Sequence, residues 1–452
     1  MALSKRPSSA SGLYPRVALF AAILASAGLP LYIHLPSFAT GELGLDLATL
    51  GAVLIAIRMI DLLQDPALGW VVDRYATQRG RLATIGMAGL ALGFAMLFVW
   101  PAPAWLAGGL LTWLIAALVL VFTSYSLLQI LFYGHGVTLA DGSSDNPASG
   151  NATTRHLRLA GWREAGLLGG ILVAATAPQI LINLGRTSPY RDFGLLLIVL
   201  IALVAVLTRG LWTGRPQTTD KESVERLQWR SLLAPTPLWL LLIGLINALP
   251  VALSSTLFVF FVEERLQLAQ FTGLFLILFF CAAGLAAPIW SRAAQRWGAR
   301  KTLLIAMVLA IVSFGWAAIL PEGAAIGFVL ICLASGAAMA ADMVILPATF
   351  ANAVSRLSLP EGLGFGLWAF AAKLALALAA AVALPALARA GFDPASDLPS
   401  TTAALGALAF AYAVVPCFLK LLSIALLVLT PRHVLDATPD RTAIGAAPQG
   451  AP

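Results

Sequence analysis

Charge is what this sequence has least of. Only 11 % of its 452 residues are charged, while 60 % are hydrophobic and the mean hydropathy is +0.89. Soluble domains carry about a quarter of their residues as Asp, Glu, Lys or Arg, so a soluble enzyme or DNA-binding domain is a poor fit. Histidine is scarce, with four residues, which leaves little for acid–base or metal chemistry. The three cysteines, Cys281, Cys332 and Cys417, lie in apolar runs without CxxC spacing. They indicate neither a zinc site nor a disulfide framework and read as small buried hydrophobes. The chain also has no Gly-x-x-x-x-Gly-Lys loop, no His-Glu-x-x-His and no Gly-x-Ser-x-Gly. These are the common signatures of nucleotide-driven work, zinc hydrolysis and serine hydrolysis, so the expectation is a non-enzyme without an organic cofactor.

What is present is long apolar runs with little strand-like alternation. About twenty residues of helix cross a bilayer, and twelve spans can be placed near 16–38, 47–73, 81–100, 105–133, 160–184, 190–208, 235–262, 269–291, 301–320, 324–353, 362–388 and 402–430. The expected fold class is an all-α polytopic membrane protein of twelve transmembrane helices in two six-helix halves. The halves are 1–208 and 235–430, joined by a linker at 209–234 and followed by a tail at 431–452. Lys5, Arg6 and Arg16 precede an apolar stretch with Ala25-Ser26-Ala27, which looks like a signal-peptide cleavage site. That stretch continues through Leu35, so it reads as an uncleaved first helix. The fourth span is expected to be interrupted at Gly134 and Gly136.

The net charge of +7 reports orientation. With the N-terminus inside, the inner loops and tails hold 21 Lys or Arg and the outer loops hold 4, namely Arg186, Arg191, Arg265 and Arg389. That is a strong positive-inside bias. It places both termini and the linker in the cytoplasm. No nucleic-acid partner is expected, because bases for such a groove would cluster with aromatics. Trp100, Trp105, Trp212 and Trp239 lie near span ends and fit an interfacial belt. Asn151-Ala-Thr153 matches a glycosylation sequon but falls on the inner side.

A charge at the bilayer centre costs at least about 2.5–3.5 kcal/mol on insertion scales, so each one is a functional candidate. Six fall within spans: Arg58, Asp61 and Asp65 in the second, Asp342 in the tenth, Lys373 in the eleventh and Lys420 in the twelfth. Arg58, Asp61 and Asp65 are spaced i, i+3, i+7 and share one helix face, which Gly69 continues. Pro66 frees the carbonyl of Leu62 from the helical ladder. Two carboxylates and a freed carbonyl are hard oxygen ligands suited to a small cation. The competing reading is a buried ion-pair network that holds helices together. Lys373 is expected to balance Asp61 or Asp65. Lys420 is expected to snorkel or to pair with a carboxylate, Arg163-Glu164 to form an inner-surface pair, and His34 to be a partly hydrated helix-end residue.

Gly69-x-x-x-Asp73-Arg74 followed by Arg79-Gly80-Arg81, partly repeated as Ser291-Arg292 and Arg296 to Lys301, resembles the loop motif of the major facilitator superfamily. In that reading an aspartate at a helix end binds arginines of the neighbouring helix, so Asp73, Arg74, Arg81 and Arg300 are the expected cytoplasmic gate. Arg58-Met-Ile-Asp61-Leu-Leu-Gln-Asp65-Pro66-Ala-Leu-Gly69 resembles the helix-two signature of the glycoside–pentoside–hexuronide:cation symporters, the melibiose-permease-like branch. Gly364 to Lys373 and Ala341 to Ala348 are similar to helices eleven and ten of that family. The resemblance implies coupling to Na⁺ or H⁺ at Asp61 and Asp65, with Arg58 and Lys373 beside them. It also implies a small-molecule substrate in a midplane cavity between two rocking halves, and a bacterial inner membrane with lipid around the chain. The resemblance breaks at two places: Ala25 and Gln129 stand where sugar-binding members carry aspartates. Tyr32, Tyr125, Gln129, Tyr133, Asp342 and Trp368 are the candidate cavity lining. The lining suits an anionic or partly apolar solute better than a simple galactoside. An ion-independent lipid or solute flippase or facilitator on the same scaffold is the alternative.

Overall fold

A computed structural model describes residues 12–28, 35, 38–39, 43–45, 47–104, 106, 109–141, 152–213, 232, 234–392, 401–431 and 434. Tyr32, His34, Trp105, most of the expected linker and nearly all of the tail lie outside the described residues. Lipid offers the backbone no hydrogen-bonding partner, so a spanning chain must satisfy its own amides within helices. The described residues accordingly form helices and no strand.

Twelve helices follow the twelve expected spans. They are α1 Leu13–Gly28, α2 Leu47–Arg74, α3 Arg79–Phe94, α4 Gly109–Asp141, α5 Ala152–Asn183, α6 Pro189–Leu207, α7 Pro235–Phe260, α8 Thr272–Trp297, α9 Ala299–Ala317, α10 Ala325–Arg356, α11 Glu361–Arg389 and α12 Thr402–Leu429. Single π-helical turns extend α3 and α7 and interrupt α12 at Phe410–Val414. Nine of these segments are long and apolar enough to cross a membrane. The other three are α1, described over 16 residues, and α2 and α5, which have 28 and 32 residues and carry charges along their length.

α4 runs unbroken through Gly134 and Gly136 to Asp141, and α5 starts at Ala152, so helix fills most of the expected inner loop. The glycines serve packing. A Cβ at Gly134 would press on Glu361 of α11 at 3.3 Å, and one at Gly136 on Leu159 of α5 at 3.1 Å. Small residues also let α1 and α5 meet backbone to backbone, with Gly166 and Gly170 seated on Ala18 and Ala22. Ser26 Oγ donates to the Gly170 carbonyl at 3.0 Å across that contact.

The core falls into three clusters. One belongs to α1–α6 with its flanking residues, including Phe20, Phe94 and Phe193. One lies within α7–α12, including Phe261, Phe275 and Phe328. The third joins the halves, bringing Val72, Leu131 and Leu168 together with Ala283, Val344 and Phe365. This joined core lies toward the end of the bundle that carries Arg74, Arg79, Arg292, Arg296 and Arg356, hereafter the basic end. Two cross-half bonds sit there: Ser291 Oγ to the Leu157 carbonyl at 2.8 Å, and Ser355 Oγ to Asp141 Oδ2 at 2.7 Å.

Candidate functional site

α2 and α11 meet across the two halves through glycine. A Cβ on Gly69 would sit 2.5 Å from the Gly362 carbonyl, so both positions have room only for hydrogen. A Cβ on Gly366 would sit 2.7 Å from the Asp65 carbonyl. This approach brings the polar face of α2 to α11, roughly 18 Å along α11 from Glu361 by helical rise. That is close to the midpoint of the 29-residue α11.

Lys373 reaches that face. Its Nζ donates to Asp61 Oδ1 at 2.8 Å, to Asp65 Oδ1 at 2.9 Å and to Ser126 Oγ at 2.8 Å. Ser126 of α4 donates in turn to Asp61 Oδ1 at 2.8 Å, and Gln64 Nε2 donates to the same oxygen at 3.0 Å. Thr123 Oγ1 holds the Gln64 amide oxygen at 2.9 Å. Asp65 is 0 % exposed and Asp61 6 %, so both carboxylates sit where an unbalanced charge is costly. Asp65 Oδ2 is buried and accepts no hydrogen bond. One ammonium from one half therefore bridges two carboxylates of the other. Arg58 is exposed, while Lys373, Ser126 and Gln64 donate to the carboxylates. Ser126, Gln64 and Thr123 carry no distinguishing signal in the sequence, because uncharged polar residues are common in helices and only the α2–α4 packing gives them a role.

At the basic end the two halves are joined through Asp73, Arg79 and Glu361. Asp73 accepts the backbone N–H groups of Gly362 and Leu363, each at 2.7 Å. It thereby caps the first turn of α11, where unsatisfied N–H groups favour an anion. Arg79, the first arginine of the Arg79-Gly80-Arg81 stretch, donates to Glu361 Oε2 at 2.7 Å, to Thr138 Oγ1 at 2.7 Å and shares a bond with His135 Nδ1 at 2.9 Å. Thr138 Oγ1 also donates to Glu361 Oε1 at 2.9 Å. Arg74 and Arg81 are exposed, and Arg81 reaches Gln78 of its own half at 3.2 Å. Arg300 donates to the carbonyls of Val428 and Thr430, all within the second half.

Between these contacts and Lys373 lies an aromatic layer. Tyr133 is 5.7 Å from Phe365, centroid to centroid, and Phe350 lies 5.3 Å from Phe365 and 5.0 Å from Trp368. Arg163 stacks 3.7 Å over the Tyr133 ring and donates to Glu164 Oε1 at 3.0 Å. Both charged residues are buried, at 4 % and 1 % exposure, whereas the sequence placed them at the inner surface. Arg163 Nη2 and Glu164 Oε2 make no hydrogen bond. Gln129 is half-buried, and Tyr125 packs on Gly28 of α1. Asp342 stands apart from this layer. It pairs with Lys420, which also donates to Asn247 Oδ1 at 2.7 Å.

Among curated proteins no sequence match was found. Among solved structures, a bacterial homologue of the iron transporter ferroportin in its outward-facing state is similar, with a TM-score of 0.67 at 15 % identity over 92 % of this chain and 98 % of that one. The Escherichia coli fucose:proton symporter is similar too, at a TM-score of 0.66 and 15 % identity over 91 % and 98 % of the two chains. Both likenesses show a shared fold, that of the major facilitator superfamily. Residues 16–432 match the family described as MFS/sugar transport protein, and the chain belongs to it: an integral membrane member of the melibiose-permease-like glycoside–pentoside–hexuronide family, which is a family of transporters rather than enzymes.

Proposed function

We propose that this protein is a secondary active transporter that couples the movement of Na⁺ or H⁺ to symport of a small solute by alternating access. The observation that carries the proposal is the Lys373 ammonium held between Asp61 and Asp65 across the two halves. Two carboxylates this close repel unless positive charge lies between them. Lys373 supplies it from the second half, whereas a cation would supply it from solution. Ion binding therefore competes with a bond that ties α2 to α11. A ligand shifts a conformational equilibrium only by binding one state better than another, and this competition gives a cation that differential affinity.

In this reading the basic end faces the cytoplasm of a bacterial inner membrane, with both termini on that side. The Asp73–α11 cap and the Arg79–Glu361 pair then close the cytoplasmic path, which corresponds to an outward-facing arrangement. The solute binds in the layer of Tyr125, Gln129, Tyr133 and Trp368. Arg163 and Glu164 hold unfilled hydrogen-bonding groups there, and a desolvated guanidinium favours a solute with an anionic or hydroxyl-bearing end. With Ala25 and Gln129 in place of carboxylates, a simple galactoside is disfavoured. The test is uptake of a solute panel by proteoliposomes under imposed Na⁺ and H⁺ gradients. Accumulation that needs one of the gradients supports the reading. Uptake that only equilibrates, whatever the gradient, would favour an ion-independent facilitator or flippase.

A further inference from the structure

The first residues of the linker are packed against the helices of the first half. After α6 the chain makes a short 3-10 turn, Arg209–Thr213, in which the Leu211 side chain is buried. Trp212 stacks on His135 of α4 at 5.3 Å between ring centroids and meets Phe20 of α1 edge-on at 5.1 Å. Gly210 lies close to Arg16, and a Cβ there would sit 2.8 Å from the Arg16 Nη1. The turn is therefore anchored by an aliphatic and an aromatic side chain at the same end of the bundle as the Arg79–Glu361 bridge.

His135 stands between the two. It is 1 % exposed, with Nδ1 2.9 Å from Arg79 Nη1 and Nε2 2.6 Å from the Leu211 carbonyl. A guanidinium only donates, so Nδ1 accepts; a backbone carbonyl only accepts, so Nε2 carries the proton. The two partners together fix one neutral tautomer. An imidazolium would have no acceptor for Arg79 and would set a second cation against it. Arg79 Nη1 gives its other hydrogen to Thr138 Oγ1, while Nη2 reaches Glu361 of the second half. His135 and Thr138 thus occupy Nη1 and leave Nη2 turned toward α11. An arginine without such partners samples many rotamers, of which few present Nη2 to Glu361.

We propose that His135 is a positioning residue for the bridge between the halves: it ties the first turn of the linker to Arg79, so that linker and bridge engage and release together. The proposal rests on the alternating-access reading above and adds to it the element that holds the arginine ready. Leu211 sets the ring, the ring sets the guanidinium, and the guanidinium meets Glu361. Displacing residues 209–213 frees the ring and with it Arg79. Breaking the bridge, in the reverse direction, loosens the turn, because an effect between two sites is reciprocal.

The experiment measures the width of the basic end on purified full-length protein, with spin labels on the exposed residues Gln78 and Leu357, in wild type, His135→Phe, Glu361→Gln and the double variant. Phenylalanine keeps a ring against Trp212 and removes both hydrogen bonds. His135→Phe should raise the ratio of wide to narrow distances about tenfold, and the double variant should be no wider than Glu361→Gln alone, because both changes act on one contact. His135→Gln, whose amide carries an acceptor and a donor, should restore the narrow distance. A wild-type distribution in His135→Phe overturns the proposal. So do effects of His135→Phe and Glu361→Gln that add, since the histidine then acts elsewhere. The reverse direction is read without altering His135: a spin label on the exposed Arg209 should become more mobile in Glu361→Gln, and an unchanged spectrum there also overturns the proposal. This second arm holds even if His135→Phe fails to fold. Both distances and mobility are read without solute or ion, so they stand apart from the outcome of the uptake assay.

Discussion

Replacing Lys373 with methionine should make the protein bind its cation more tightly and transport more slowly. Methionine keeps most of the apolar length of lysine and removes its charge. Asp61 Oδ1 and Asp65 Oδ1 lie 2.8 and 2.9 Å from one Nζ, so the two oxygens are less than about 6 Å apart. Two unit charges at that separation repel by about 3 kcal/mol at an effective dielectric of about 20. With lysine in place this repulsion is screened internally. Without it, only a bound Na⁺ or proton relieves the pair. The relief corresponds to roughly a hundredfold gain in cation affinity, at about 1.4 kcal/mol per factor of ten. Part of the gain reappears as loss of stability without cation, because stripping one partner from a buried pair costs about 3–5 kcal/mol. Thermal unfolding of the purified variant, titrated with NaCl and with pH, reads both effects. The expected result is a lower melting temperature without Na⁺ at high pH and a steeper rise with Na⁺ or acid than in the wild type. A variant whose cation midpoint lies within threefold of wild type would refute the competition between lysine and ion.

Other outcomes follow from the same geometry. Glu361→Gln removes the charge that holds Arg79 across the halves and should weaken a charge-assisted bond of about 1.5–3 kcal/mol; spin labels on Gln78 and Leu357 should then report a wider basic end, and an unchanged distance distribution would count against the gate. Gly69→Val places a branched side chain where 2.5 Å separates a Cβ from the Gly362 carbonyl; the protein should reach the membrane yet lose transport, and wild-type turnover would mean that α2 and α11 need not close. Single cysteines at Ser188 and Thr218 should label from the outer and inner sides respectively, and the reverse pattern would sink the topology. Melibiose should not be accumulated by the purified protein, and robust cation-dependent uptake of that sugar would contradict the reading of Ala25 and Gln129.

Much of the architecture is written in local features. Each span is legible because its apolar run must satisfy its own backbone, and the charges on α2 stand out because nothing around them is polar. The i, i+3, i+7 spacing of Arg58, Asp61 and Asp65 places them on one face. It cannot say which of them meets Lys373, some 308 residues from Asp65. That depends on how two halves pack, and the structure brings in Asp61 and Asp65 while Arg58 remains exposed. The basic end poses the same problem. Arg79 and Arg81 differ by two positions, hence by about 200° around a helix, and only the facing Glu361 and Thr138 select Arg79. Apolar content alone starts α5 near residue 160, which would leave Arg163 at the surface; the helix begins at Ala152, about two turns earlier, and Arg163 lies inward against Tyr133. Lys420 and Asp342 were each visible as intramembrane charges, whereas Asn247 gave no signal until α7 was placed beside them.

The most direct test of the central claim is solute accumulation in proteoliposomes bearing wild type or Asp65→Asn, under identical Na⁺ and H⁺ gradients, alongside solute counterflow without any gradient. The account predicts that the wild type accumulates solute against its gradient, and that Asp65→Asn loses accumulation while retaining counterflow. Full gradient-driven accumulation by Asp65→Asn would contradict it and return the Asp61–Asp65–Lys373 cluster to a purely structural role.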